Sequence, residues 1–130
     1  MASTSMYERL GGMAFFDQLV SRFYDGVESD QRLRPLYPQD LGPSRRHLAL
    51  FLAQFWGGPH TYDEVRGSPR LRARHLPFAI GAAERDAWLQ HMRAAVGSLA
   101  PPPLERTQLL TYFEGAAAHM VNQGPGSAPG

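Results

Sequence analysis

From Met13 to Glu28 the apolar residues Phe16, Leu19, Val20, Phe23 and Val27 recur at helical spacing, with Tyr24 at the margin of the stripe. This pattern predicts an amphipathic helix entered through Leu10-Gly11-Gly12. Pro35 and Pro38 then interrupt helix formation and hold Arg34 and Tyr37, the residues before them, out of the α region, so Tyr37 is expected in a tight corner. A second helix is expected from about Ser44 to Trp56, where Ser44, Leu48, Phe51, Leu52 and Phe55 share a face and Gly57-Gly58-Pro59 gives a stop signal. The stretch from His60 to Gly67 is polar and turn-rich and reads as irregular. Ser68-Pro69 then offers a cap and a first turn, and Pro77 closes what they open. Arg70 to His75 is thus two turns at most, with His75 near the C-terminal end. Two longer helices follow. Ala82 to Leu99 carries Trp88, Leu89, Met92, Val96 and Leu99 inward and stops at Pro101-Pro102-Pro103; about Leu104 to Asn122 carries Leu109, Phe113, Ala116, Ala117 and Met120.

β-branched residues are scarce and no repeat is visible, so the fold class is all-α. A chain of 130 residues with 43% hydrophobic residues suits one globular domain over residues 1–130. Its ordered core is expected over about residues 6–122, with flexible tails at 1–5 and 123–130. The sequence holds no cysteine, which removes disulfides, zinc-thiolate sites, iron-sulfur clusters and a thiolate-ligated haem together. Neither a charged leader followed by an apolar stretch nor 18 consecutive apolar residues occur, and a cytoplasmic location is expected. The net charge of +1 gives no field that calls for nucleic acid or membrane. One local anomaly stands out: every basic residue other than histidine is an arginine, and Arg66, Arg70, Arg72 and Arg74 lie close together with no acid among them.

Without cysteine, the five histidines are the plausible metal ligands, and no two of them have ligand spacing. A single histidine suffices for a haem, because the porphyrin supplies the four equatorial nitrogens. His75 is the best candidate on physical grounds. It follows Leu71 by one turn, and Phe78 and Ile80 add apolar surface on which a flat disc could lie. Arg66, Arg70, Arg72 and Arg74, with the Tyr62 hydroxyl, offer a rim for anionic groups such as propionates. The same residues also fit a basic surface loop bearing one exposed histidine.

The runs Leu10-Gly11-Gly12, Ser21-Arg22-Phe23-Tyr24, Phe55-Trp56-Gly57-Gly58-Pro59, Thr61-Tyr62, Arg66-Gly67, Arg70-Leu71-Arg72-Ala73-Arg74-His75, Pro77-Phe78 and Glu84-Arg85-Asp86-Ala87-Trp88 together resemble the truncated haemoglobins of group II. The similarity covers about Tyr7 to Val121. It implies a two-over-two helical sandwich around a haem b, with His75 in the place of the proximal iron ligand.

On the distal side the resemblance sets Tyr24, Tyr37 and Trp88 at three positions whose hydroxyl and indole donors surround a bound diatomic ligand and stabilise the charge it takes on. Ser44 falls where many globins carry a gating histidine, and Leu48 and Phe51 form the apolar wall. His47 is placed to touch a propionate, as is Arg74, and Phe78 and Met92 are expected haem contacts. The implied partners are dioxygen and other small diatomic ligands, with a homodimer as a further expectation. Tight ligand binding also fits nitric oxide dioxygenation or peroxide reduction, which would need an external reductase because nothing here resembles a flavin or nicotinamide domain. The alternative from another class is a haem-free helical module whose arginine cluster binds an acidic partner or nucleic acid.

Overall fold

The computed structural model describes residues 4–70, 74–75 and 78–122, and among these residues every regular element is helical. α1 (Met6–Leu10) is short and capped by Ser5, whose hydroxyl accepts from the Glu8 amide at 3.1 Å. Ser5 thus belongs to the fold rather than to a loose tail. α2 (Met13–Glu28) buries Phe16, Leu19, Val20, Phe23, Tyr24 and Val27, the stripe that the periodicity predicts, with Tyr24 fully part of it. A single 3-10 turn, Arg34–Leu36, forms the proline corner and leaves Tyr37 extended, as the residue before Pro38 should be.

α3 (Gly42–Phe55) starts with Pro43 in its first turn, where the missing N–H costs nothing, and begins two residues earlier than expected. Its end is dictated by contact as much as by propensity. A Cβ on Gly58 would lie 2.7 Å from the Ala53 carbonyl oxygen and 2.6 Å from the Tyr7 ring, so only glycine lets the chain turn back against α1. Tyr7 in turn stacks on Phe16 at 5.9 Å and donates its amide to the Trp56 carbonyl.

The stretch expected to be irregular contains a helix, α4 (Thr61–Arg66), which buries Tyr62. Of the short helix expected over Arg70 to His75, residues 71–73 lie outside the described residues, as does the tail from residue 123. α5 (Ala82–Leu99) opens with the Glu84 carboxylate accepting from the Gly81 amide at 2.8 Å and ends before the proline run. α6 (Pro103–Met120) is the last helix among the described residues.

α2 is the centre of the packing: it lies against both α3 and α5, α5 packs on α6, and α3 on α4. The core where these helices meet contains Phe23, Leu52, Met92, Val96, Leu109 and Phe113. The buried Glu105 is answered by Arg9 at 3.2 Å, tying α6 to α1.

Candidate functional site

A cavity of about 340 Å³ opens between the Tyr37 corner, α3, α4, the segment around His75, α5 and α6. Single ligand pockets are typically roughly 300 to 1,000 Å³ with apolar walls and a few placed polar groups. The walls here follow that rule. Leu33, Leu48, Phe51, Leu52, Ile80 and Phe113 supply apolar surface, while Tyr24, Tyr37, Ser44, His47, Tyr62, His75 and Trp88 supply the polar groups.

Of the residues singled out in the sequence, the cavity brings together Tyr24, Tyr37, Ser44, His47, Leu48, Phe51, Tyr62, Arg74, His75, Phe78 and Trp88. Met92 is different. It is wholly buried in the core and is not among the residues that line the cavity.

Tyr24, Tyr37 and Trp88 come from three separated parts of the chain and form one polar-aromatic group. The Tyr24 and Tyr37 rings meet edge-on at 5.5 Å, and Phe23 carries both Tyr24 and Trp88 against itself at 5.0 and 5.1 Å. The Tyr37 phenol oxygen has the Trp88 N–H and the Tyr24 hydroxyl as polar partners, and Tyr24 has Ser44 as a further one. Burial raises the Tyr24 pKa well above the usual phenol value and pushes Tyr37 up to about 12, so both remain neutral donors.

Tyr112, also in the cavity wall, is likewise pushed up to about 12 by burial. These phenols are neutral in the fold and ionise near 10 when unfolded. Stability is therefore insensitive to them below pH 10 and falls as pH rises from 10 towards 12, since only the unfolded chain gives up the protons readily. Melting temperatures measured across that range should decline, with a shallower slope for Tyr37→Phe. A flat profile to pH 12 would contradict the burial of these groups.

The opposite electrostatic character occurs at the rim. Burial lowers the His47 pKa first, and Arg66, Arg46 and Arg74 lower it further, so the local field is strongly positive. Arg74 is fixed by its loop: Nε donates to the Pro69 carbonyl at 2.8 Å and Nη2 to the Arg66 carbonyl at 2.9 Å. Anionic groups placed at this rim would be favoured. Tyr62 packs edge-on against Phe51 at 5.5 Å and is nearly inaccessible.

His75 is half-buried in the cavity wall, and its backbone is held by a residue the sequence does not single out. The Asn122 side-chain amide donates to the carbonyls of His75 at 3.3 Å and Phe78 at 2.7 Å, while its oxygen accepts from the Ile80 amide at 2.9 Å. The Asn122 amide closes the set on the Ile80 carbonyl at 2.8 Å. This residue just past α6 therefore fixes the segment that bears the imidazole. Among the described residues no group of three or more His, Cys, Asp or Glu could hold a metal ion, whereas a macrocycle needs only one axial histidine from the chain. One imidazole, apolar walls for a flat ring and a cationic rim suit a haem.

Comparison with known proteins agrees. The model of the Bacterial-like globin family matches residues 5–122. The Group 2 truncated hemoglobin YjbI of Bacillus subtilis is 43% identical over 117 residues, 90% of this chain and 88% of that protein. The crystal structure of a thermostable hemoglobin from Thermobifida fusca is 55% identical with a TM-score of 0.90, covering 92% of this chain and 98% of that one. A truncated oxygen-avid haemoglobin from Bacillus subtilis superposes with a TM-score of 0.87 at 41% identity, over 92% of this chain and all of the other. An all-helical fold, a matching family model over most of the length and close similarity to group 2 truncated haemoglobins place this chain in the truncated haemoglobins, group II, a family of haem proteins that bind oxygen.

Proposed function

We propose that this protein holds a haem b on His75 and retains dioxygen through hydrogen bonds from Trp88, Tyr37 and Tyr24. The observation that carries this reading is the convergence of three neutral donors and one imidazole on the same cavity. The sequence has no cysteine, so thioether attachment of the haem through that residue does not occur. Arg66, Arg74 and His47 would receive the propionates, and Leu48, Phe51 and Phe78 would contact the ring.

The haem supplies the iron at which the diatomic ligand is taken up; the chain's own residues decide how long it stays. Trp88 can only donate, and its indole is a polar neighbour that lowers the Tyr37 pKa against the effect of burial. A ligand that accepts charge competes for the indole N–H and for the Tyr37 and Tyr24 hydroxyls. A hydrogen bond to a charged group is worth about 1.5 to 3 kcal/mol, roughly a factor of 10 to 100 in an equilibrium. Trp88→Phe keeps the bulk and removes the donor. Stopped-flow displacement of dioxygen should show release from that variant faster by about one to two orders of magnitude. Unchanged release would contradict the assignment of Trp88 as a ligand donor.

Slow release suits a protein that stores, senses or consumes the gas better than one that delivers it. No helix among the described residues is long and apolar enough to cross a membrane.

A further inference from the structure

Three positions after Trp88 on α5, His91 reaches across to the end of α2 and meets Asp30, Nε2 to Oδ2 at 2.6 Å. Both side chains are largely shielded, with 19% and 7% of their surfaces exposed. The contact is built from several sides. Arg32 donates from its amide and Nε to Asp30 Oδ1 at 2.8 and 3.1 Å, and from Nη2 to Oδ2 at 2.8 Å. The same Nη2 also reaches Gln90, the neighbour of His91, at 3.1 Å. Arg32 and His91 hold the Asp30 carboxyl well below the usual carboxylate range. On the other side, Gly26 leaves the room the imidazole occupies: a Cβ there would lie 2.3 Å from Nδ1.

Asp30 is also the anchor of the corner that carries Tyr37. Its carbonyl accepts from the amides of Leu33 at 3.2 Å and Arg34 at 2.8 Å, and the Arg34 carbonyl accepts from the Tyr37 amide at 3.2 Å. The Arg34 guanidinium then binds the carbonyls of Pro38 and Gln39 at 2.9 and 2.7 Å. The hydrogen bonds therefore run from His91, one turn of α5 beyond Trp88, through Asp30 to the corner that carries Tyr37.

We propose that His91 and Asp30 are positioning residues for the Trp88 and Tyr37 donor pair, fixing α5 against the corner so that both donors face the ligand. The inference rests on the donor roles given above. Its reach is larger than stability, because the His91 to Asp30 contact joins the two elements whose relative placement sets the donor geometry.

The C–O stretching band of the carbonmonoxy protein reports the polar field at the ligand and can be read for each variant beside the rate of dioxygen release. Trp88→Phe should shift the band. His91→Phe should shift it in the same direction and speed dioxygen release several-fold, while His91→Gln, which keeps a donor for Asp30, should restore most of the wild-type behaviour. Gly26→Ala should reproduce His91→Phe by displacing the ring with His91 and Asp30 both present, which keeps the test open if His91→Phe does not fold. Arg93→Gln, which removes the exposed α5 to α6 pair with Glu114, should leave the band in place. An unchanged band and release rate in His91→Phe or Gly26→Ala, beside a shifted band in Trp88→Phe, would overturn the positioning role alone. A band unmoved by Trp88→Phe itself would overturn the donor assignment and the positioning role with it.

Discussion

His75→Ala yields a folded helical chain that loses haem to a competing apoglobin at least two orders of magnitude faster than the wild type. The scale follows from metal sites in general, where removing a partner that merely orients a ligand costs roughly 10 to 100-fold in affinity, so removing the ligand should cost more. The chain should remain folded because the backbone contacts of His75 survive the substitution: its carbonyl accepts from the Phe78 amide at 3.0 Å and from Asn122. The cavity left by the imidazole admits a free imidazole, and millimolar imidazole should restore retention in the variant. Retention unaltered by the substitution would mean that a different residue ligates the iron, His47 being the other histidine of the lining.

Phe23→Ala should lower the stability by about 3 to 5 kcal/mol, the usual cost of emptying a fully buried phenylalanine site. That corresponds to a melting temperature lower by roughly 12 to 20 °C for a domain of this size. Phe23 is completely buried and packs against both Tyr24 and Trp88, so the void opens directly beneath the distal donors. Dioxygen release should therefore accelerate along with the loss of stability. Phe55→Ala is the matched comparison, since Phe55 is 49% exposed and should change stability by well under half as much. A loss below about 1 kcal/mol for Phe23→Ala would contradict the packing described here.

The long helices are legible in the sequence because each repeats an apolar stripe over about four turns or more, and proline or glycine marks most of their ends, those of α2 at Ser29 and α6 at Val121 excepted. The short ones are not. α4 has six residues, too few for a stripe, although Asp63 and Glu64 in its first turn are a helix signal that can be read. α1 has five, and its Ser5 to Glu8 spacing matches a capping pattern. In the site, His75 is suggested by its own surroundings. Tyr24, Tyr37 and Trp88 are not, because single aromatics at such separations read as core until the fold unites them, and the family resemblance alone pointed there.

Met92, one turn after Trp88, is wholly buried in the core and is not among the residues that line the cavity. Asn122 is invisible to periodicity because it acts from the chain just past α6, through hydrogen bonds to a segment distant in sequence. His91 is hidden for a related reason, since its partner Asp30 lies in another element and nothing local marks the pair.

The most direct measurement is a haem titration of the wild-type chain followed by absorption in the ferric, reduced and carbonmonoxy forms. Binding that saturates at one haem per chain, with the iron-to-histidine stretch in the reduced protein present in wild type and absent in His75→Ala, is the predicted result. Failure to saturate, or the same iron-to-histidine stretch in His75→Ala, would contradict a haem held in this cavity by His75.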